Sequence, residues 1–187
     1  VYLQKLSYEC RICGKVVNYE QYKNSPFCPD LGCGTKLQLK PQPKHWLFQF
    51  NPSIYNWFGR TKETREAEQW LVSQLWKLIR KDDLIAIWSS GQKAGIYALG
   101  QVITNPAKTP LNIGQKKFFS NLNYVEKFCD KYSAYVEYSH VFLEKPLTQE
   151  ACSQDDILSK MQILVNQQRT NFRLTGEEWE RIVELTV

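Results

Sequence analysis

The sequence predicts an α+β fold, a closed or nearly closed β-barrel with flanking helices, preceded by a small cysteine-bearing module. Two observations predict it. Apolar stretches with strand and helix spacing follow one another in irregular order, which argues against alternating βαβ units and for a sheet curled on itself. Four of the six cysteines fall in two tight pairs near the amino terminus, ahead of a proline-bearing stretch. A length of 187 residues suits one ordinary domain plus a small satellite, and a 43% hydrophobic content suffices to bury a core. Six Trp, ten Tyr and nine Phe against one Met is a heavy aromatic load. It fits β-rich core packing and equally a set of flat rings for stacking bases. Composition leaves both open.

Residues 1–40 read as a four-cysteine zinc ribbon. Cys10-Arg11-Ile12-Cys13 and Cys28-Pro29-Asp30-Leu31-Gly32-Cys33 are two knuckles separated by fourteen residues. Zn²⁺ takes four thiolates at tetrahedral corners, and each knuckle supplies two from one loop. Gly14 and Gly34 follow the second cysteine of each knuckle, where backbone amides must turn toward sulfur. The second knuckle has four intervening residues where two are commonest. Nothing marks secretion, so the compartment expected is the cytoplasm, which disfavours disulfides; a redox Cys-x-x-Cys would need a βαβ context. Four protein ligands leave no open position for water, so one structural zinc is expected on Cys10, Cys13, Cys28 and Cys33. It replaces the core that so short a segment cannot build. Cys129 and Cys152 read as buried or half-buried thiols.

The formal net charge is +5, and its surplus sits early: 7 Lys and Arg against 3 Asp and Glu in residues 1–45, then 17 against 16. Four thiolates on one Zn²⁺ would add about −2 and halve that excess. A weak basic patch fits phosphate contact without being diagnostic of it. The sequence has no apolar run of transmembrane length and no charged-then-apolar leader, so no membrane partner is expected. It begins at Val1 close to its first motif and reads as an excerpt of a longer protein.

Residues 41–45 form a linker stiffened by Pro41 and Pro43. The second unit spans 46–187. Trp46 to Phe50 is a buried strand ended by Asn51-Pro52. Residues 53–62 look irregular. From Glu63 to Ile79 the spacing of Ala67, Trp70, Leu71, Leu75, Leu78 and Ile79 is helical, in one or two pieces. Leu84–Trp88 and Gly95–Ile103 form a hairpin across residues 89–94, a loop too long for a two-residue turn. Asn105 to Phe128 carries Pro and Gly breakers and reads as loop with some helix. A strand over 133–143 ends near Pro146, and short helices follow from Asp155. Thr175 to Glu178 is a capping box, opening a helix with Trp179, Ile182 and Val183 on one face.

Several of these segments carry a family resemblance. Trp46-Leu47-Phe48-Gln49-Phe50-Asn51-Pro52 resembles the opening strand of EVE domains. Asp82 to Gly100 resembles their hairpin: an acidic start, an apolar strand ending in an aromatic and a small polar pair, then Gly-Ile-x-Ala-x-Gly. Trp70 with Val72 resembles their Trp-x-Val element. Thr170-Asn171-Phe172-Arg173-Leu174-Thr175 through Trp179 is similar to the close of the prokaryotic subgroup attached to restriction systems. The resemblance covers about 46–187; each motif is loose alone, and four in order are specific.

EVE domains are PUA-like and related to YTH domains. The resemblance implies a barrel without catalytic activity that reads a modified base, beside a nuclease or motor module in modification-dependent restriction. It implies modified double-stranded DNA as partner, with 5-methyl- or 5-hydroxymethylcytosine as target and methylated adenine next. A base flipped from a duplex loses a few kcal/mol of stacking, which aromatic walls restore while polar groups read its Watson–Crick edge. By position, the resemblance implies Asn51, Trp70, Trp88, Ser89, Ser90 and Phe172 as pocket residues. The residues themselves keep other readings open. Trp88 shares a face with Leu84 and Ala86 and fits a core equally well; Trp70 on a helix is more often core. Ser89 and Ser90 can be plain turn formers. Lys93, Lys116, Lys117, Arg169 and Arg173 are candidates for phosphate contact or ordinary solvated charges.

Catalytic patterns are missing. His45 abuts the linker, and His140 shares a strand face with Val136, Tyr138 and Phe142. Neither a phosphate-binding Gly-rich loop nor a nucleophile elbow occurs, and Asp82-Asp83 and Asp155-Asp156 are adjacent pairs whose carboxylates diverge. Nuclease activity is expected in another part of the parent protein. Three rivals stand beside the DNA reader: an RNA-binding PUA-like module, a protein-interaction adaptor, and a hydrolase with an unrecognised site.

Overall fold

A computed structural model describes residues 7–187 apart from Ser73 and Gln167, and excludes the side chains of Leu122, Lys127 and Cys129. The Cys129 thiol therefore lies outside the described residues. The chain folds as two compact units, Val1–Gln42 and Pro43–Val187. Among the described residues no helix is long and apolar enough to cross a membrane.

The first unit is a three-stranded antiparallel sheet in the order β2-β1-β3, built from β1 (Ser7–Glu9), β2 (Val16–Asn18) and β3 (Gln38–Leu39). Asn18 caps helix α1 (Tyr19–Asn24) in a capping box with Gln21. Its buried residues are Cys10, Val17, Cys28 and Leu37, with Tyr8 stacked on Tyr22 at 3.6 Å. So few apolar side chains cannot hold a fold alone.

The second unit is a mixed sheet curled into a half-barrel with helices outside it. Its strands are β4 (His45–Phe50), β5 (Glu68–Leu71), β6 (Leu84–Ser89), β7 (Gly95–Val102), β8 (Ala107–Lys108), β9 (Tyr132–Val141), β10 (Leu147–Thr148) and β11 (Asn171–Leu174). They run β11-β4-β6-β7-β9-β5, with β10 on β7 and β8 on β9. Among the described residues only β4 and β6 pair in parallel. Register shifts at Ile87/Trp88 and Leu99/Gly100 mark bulges, which bend strands and increase their twist. At the second of these a Cβ on Gly100 would lie 2.2 Å from the Glu137 carbonyl oxygen, so only glycine lets β7 and β9 approach.

Alternation along the strands sorts side chains onto two faces. Trp46, Phe48, Phe50, Ile85 and Ile87 face an inner core with Tyr55, Trp57 and Trp70. Leu47, Ala86, Trp88, Ile96 and Phe172 face the other way, under the carboxy-terminal helices, against Cys152, Leu158, Met161 and Ile182. Those helices are α5 (Gln149–Gln154), a 3₁₀ turn at Leu158–Lys160, α6 (Gln162–Val165) and α7 (Gly176–Thr186). The capping box of α7 forms between Thr175 and Glu178, and Arg181 ties the helix to Asp155 at 2.8 Å. Asp83 is structural: its buried carboxylate accepts from Trp46 Nε1 at 2.8 Å and from the Lys44 and Arg80 amides at 2.9 Å, locking the start of β4 to β6.

Three local expectations change. Residues 53–62 are not irregular throughout, because Asn56 caps helix α2 (Trp57–Glu63) by accepting from the Gly59 amide. The helix expected over Glu63–Ile79 is instead strand β5 followed by a turn. Trp70 and its neighbours are buried on both sides, and tertiary pairing with β9 overrides the helical spacing. Helix after the barrel begins at Gln149, ahead of Asp155. Between β7 and β9 lie the short helices α3 (Ile113–Lys116) and α4 (Leu122–Cys129).

Candidate functional site

The path of the sheet starts at β11 and stops at β5, and among the described residues these two strands are not joined by a main-chain ladder. An open edge must satisfy its amides and carbonyls some other way. Side-chain amides do it. Asn171 Nδ2, fully buried on β11, donates to the Leu71 carbonyl on β5 at 3.1 Å. The Gln115 carboxamide accepts from the Gln69 amide at 3.0 Å and donates to the Gln69 carbonyl at 2.8 Å, as a neighbouring strand would.

A cavity of about 400 Å³ opens at this seam. Phe50, Asn51, Trp70 and Leu71 supply its barrel wall, and Ile54 and Tyr55 follow from the loop after β4. The opposite wall is Gln115, Phe119, Tyr124, Phe128 and Lys131, from the segment between β7 and β9. Gln168, Arg169 and Thr170 complete the lining ahead of β11. The volume falls within the range of roughly 300–1,000 Å³ typical of small-ligand sites. Six of the lining side chains are aromatic and none is acidic.

Two of the rings are anchored from behind by one carboxylate. Glu68 is fully buried and accepts from the Tyr55 and Tyr138 hydroxyls and, at 3.1 Å, from Trp57 Nε1. Arg60 Nη1 lies 3.4 Å from it. Trp70 Nε1 donates to the Tyr138 hydroxyl at 2.8 Å. Burial pushes the Glu68 carboxyl up, opposed by Arg60. Burial and then the charge of Glu68 push the Tyr55 and Tyr138 hydroxyls up as well, so both stay protonated and donate. The polar atoms of Tyr55 and Trp70 are thus spent inside the barrel, which leaves the cavity their apolar ring surfaces. Gln69 in turn holds the far wall: its Nε2 donates to Thr109 Oγ1 at 2.9 Å and Ser133 Oγ at 2.8 Å, and its Oε1 accepts from the Asn112 amide.

The six residues implied for the pocket separate. Asn51 and Trp70 line the cavity. The Asn51 carboxamide accepts from the Ser53 amide at 2.9 Å, shaping the turn after β4. Trp88 pairs with Gln49 at the depth of the cavity but points to the opposite face, 0% exposed, and so belongs to the helix-covered core. Ser89 is also fully buried, at the end of β6, and Ser90 donates its amide to the Phe50 carbonyl as a turn residue. Phe172 is 2% exposed in the same core as Trp88 and edges a smaller cavity instead. Ala86 and Trp88 alternate with Ile85 and Ile87 along β6, so the regular period of the strand turns Trp88 to the helix-covered face. Of the five cations, Arg169 alone borders the main cavity. Lys117 pairs with Glu63, and Lys93, Lys116 and Arg173 are exposed away from it. Tyr55, Phe119, Tyr124, Phe128 and Lys131 escaped the sequence reading, because they come from turns and the short helix α4, outside the segments that carry the resemblance. The aromatic run Tyr55, Trp57, Phe58 just beyond a strand end was the available signal.

In the first unit, the sulfurs of Cys10, Cys13, Cys28 and Cys33 all lie within 4.8 Å of one another. Cys10–Cys33 and Cys13–Cys28 are 3.6 and 3.4 Å apart, too long for disulfides at about 2.05 Å and near the ~3.8 Å edge of a tetrahedron with 2.3 Å metal–sulfur bonds. Amides of Cys13 and Ile12 pull the Cys10 thiol down to about 6. Cys13, despite the Lys15 amide, is pushed up to about 12 by its neighbour Cys28. Four such sulfurs ionise together only around a cation. Gly14 and Gly34 adopt φ of 72° and 54° beside the knuckles. The cluster is compatible with a metal site.

The family model of the EVE domain matches residues 44–185. No curated protein matches by sequence. Among solved structures, a Pseudomonas syringae protein is similar with a TM-score of 0.58 at 15% identity, covering 76% of this chain and 99% of that one. A Rhodopseudomonas palustris protein gives 0.57 at 15% identity, covering 76% and 92%. Human THYN1, in complex with 5-methylcytosine-containing DNA, gives 0.57 at 13% identity, covering 76% and 96%. Likeness at these identities is likeness of fold.

Proposed function

The chain belongs to the EVE domain family, and from that membership and the cavity at its seam we propose that it is a binding module that reads a modified base in DNA. The observation that carries this is the aromatic, acid-free cavity of about 400 Å³ where the barrel lacks a main-chain ladder. A flipped base would stack on the rings of Trp70, Tyr55, Phe50 and Phe119, regaining what it loses on leaving the duplex. Asn51, Gln168 and Thr170 carry groups that can donate and accept along a base edge. The apolar surfaces of Ile54, Leu71 and Phe128 suit a methyl substituent, and human THYN1 bound to methylcytosine DNA supports a modified cytosine, 5-methyl or 5-hydroxymethyl, as the target.

The reading places the reader in residues 46–187, the linker in 41–45 and a zinc ribbon in 1–40. Cys10, Cys13, Cys28 and Cys33 would hold one structural Zn²⁺, whose chemistry there is to neutralise and crosslink four thiolates. Cutting, in a modification-dependent restriction protein, would fall to another module.

The test is a panel of duplexes differing at one central base: plain, 5-methyl- and 5-hydroxymethylcytosine, and methylated adenine, with matched RNA alongside. Tighter binding to modified than to plain cytosine duplex, lost in Trp70→Ala, is the expected result. Equal binding to every duplex, or binding to RNA alone, rejects the reading.

A further inference from the structure

A second, smaller cavity of about 290 Å³ lies beside the first and shares Arg169 with it. Lys160, Gln162, Val165, Asn166 and Phe172 line the rest. Two observations give this groove a charge character that its surroundings lack. Lys131 on the first cavity, Arg169 on both and Lys160 on the second have no carboxylate partner among the described residues. No Asp or Glu lines either cavity, whereas two further cavities of the unit are bordered by Glu63 together with Glu66 or Glu144. In residues 46–187, where Lys and Arg number 17 and Asp and Glu 16, three cations without an ion-pair partner on two cavities that share Arg169 are a local positive excess.

Resting on the base-reading function above, we propose that the Lys160–Arg169 groove is a subsite for the strand next to the extruded base, holding the adjoining phosphodiester and nucleotide. Arg169 bridges the two sites and takes the phosphate between the read base and its neighbour. Lys160 takes the next. Gln162 and Asn166 border the space for the adjoining nucleotide, and Val165, 83% exposed, offers it an apolar contact. A phosphate contact fixes register without reading sequence, so the groove contributes affinity equally for modified and plain DNA.

The experiment measures duplex affinity from 50 to 200 mM salt for wild type, Lys160→Ala, Arg169→Gln and, as an exposed cation on neither cavity, Arg173→Gln. Each phosphate contact adds about 0.9 to the slope of log affinity against log salt. Across that range Lys160→Ala should lose about 3.5-fold less affinity than wild type, with an unchanged ratio of modified to plain binding. Arg169→Gln should lower the slope by a similar amount, and Arg173→Gln should match wild type. A wild-type slope in Lys160→Ala with base preference intact overturns the groove alone. A wild type without base preference whose slope still depends on Lys160 overturns base reading and keeps the groove. No duplex binding at all overturns both.

Discussion

Asn171 Nδ2 on β11 reaches the Leu71 carbonyl on β5 at 3.1 Å, joining by one side chain the two strands at which the sheet path begins and ends. A full ladder here would close the barrel and erase the cavity. A bare gap would strand carbonyls on a buried edge. The Asn171 amide, together with the Gln115 clasp on Gln69, satisfies the edge and keeps the space.

Asn171→Ala should therefore cost about 1–3 kcal/mol, the price of leaving a half-buried carbonyl unpaired. Urea denaturation would read it as a lower midpoint at constant slope. A shift under 0.5 kcal/mol would mean that the seam is held by packing alone.

Trp70 and Trp88 should separate binding from stability. Trp88 is fully enclosed in the helix-covered core, so Trp88→Ala should destabilise by about 3–5 kcal/mol while leaving base preference intact wherever the protein remains folded. Trp70→Phe keeps a ring on the cavity but drops the bond to Tyr138, and should weaken modified-duplex binding less than Trp70→Ala does. Titrations at a temperature where all variants are folded decide the matter; loss of preference in Trp88→Ala would reverse the assignment.

Glu68→Gln keeps the shape of the side chain and removes its charge. The Tyr55 and Trp70 rings then lose their common anchor while Arg60 loses its counter-ion. We expect a loss of roughly 1–3 kcal/mol and a reduced preference for modified DNA at unchanged plain-duplex affinity. Glu68→Ala, which leaves Arg60 buried and alone, should cost more, about 3–5 kcal/mol. An unchanged preference in a folded Glu68→Gln would show that the rings hold their positions without it.

All six tryptophans lie beyond residue 42, so their fluorescence follows the folding of the second unit. A strong chelator, or Cys13→Ser, should unfold the first unit, seen as rapid amide exchange over 7–40, with no shift in tryptophan emission. Elemental analysis should return one zinc per chain. A metal-free protein with slow exchange over those residues would dismiss the zinc site.

His45 stacks on Trp179 of α7 at 5.2 Å, and burial holds its ring below the ordinary 6.5. The unfolded chain then takes up the proton first as pH falls. This contribution is whole above about pH 6.5 and is lost progressively as pH drops toward the lower folded value. His45→Phe keeps the stacking and removes the titration, so its stability should fall less than wild type between pH 7.5 and 5.5 in parallel denaturant melts. Parallel falls would acquit the histidine.

How much of this was legible depended on whether a signal was local. The α+β class, the Leu84–Gly100 hairpin and the Thr175 cap all follow from neighbours in sequence. The strand at Trp70 did not, because Leu75 and Ile79 continue a helical spacing that only pairing with β9 breaks. The core position of Trp88 was legible in its alternation with Ile85 and Ile87 along β6, whereas its place in a pocket came only from the resemblance. The far wall was invisible: Phe119, Phe128 and Lys131 converge on the cavity only once Gln69 and Gln115 dock their segment against β5.

That docking has an evolutionary corollary. The segment between β7 and β9 contributes one wall of the chamber but is fastened to β5 by carboxamide clasps. Relatives could swap this flap for one of different length or chemistry, preserving the two clasps, and so acquire new ligands without redesigning the scaffold.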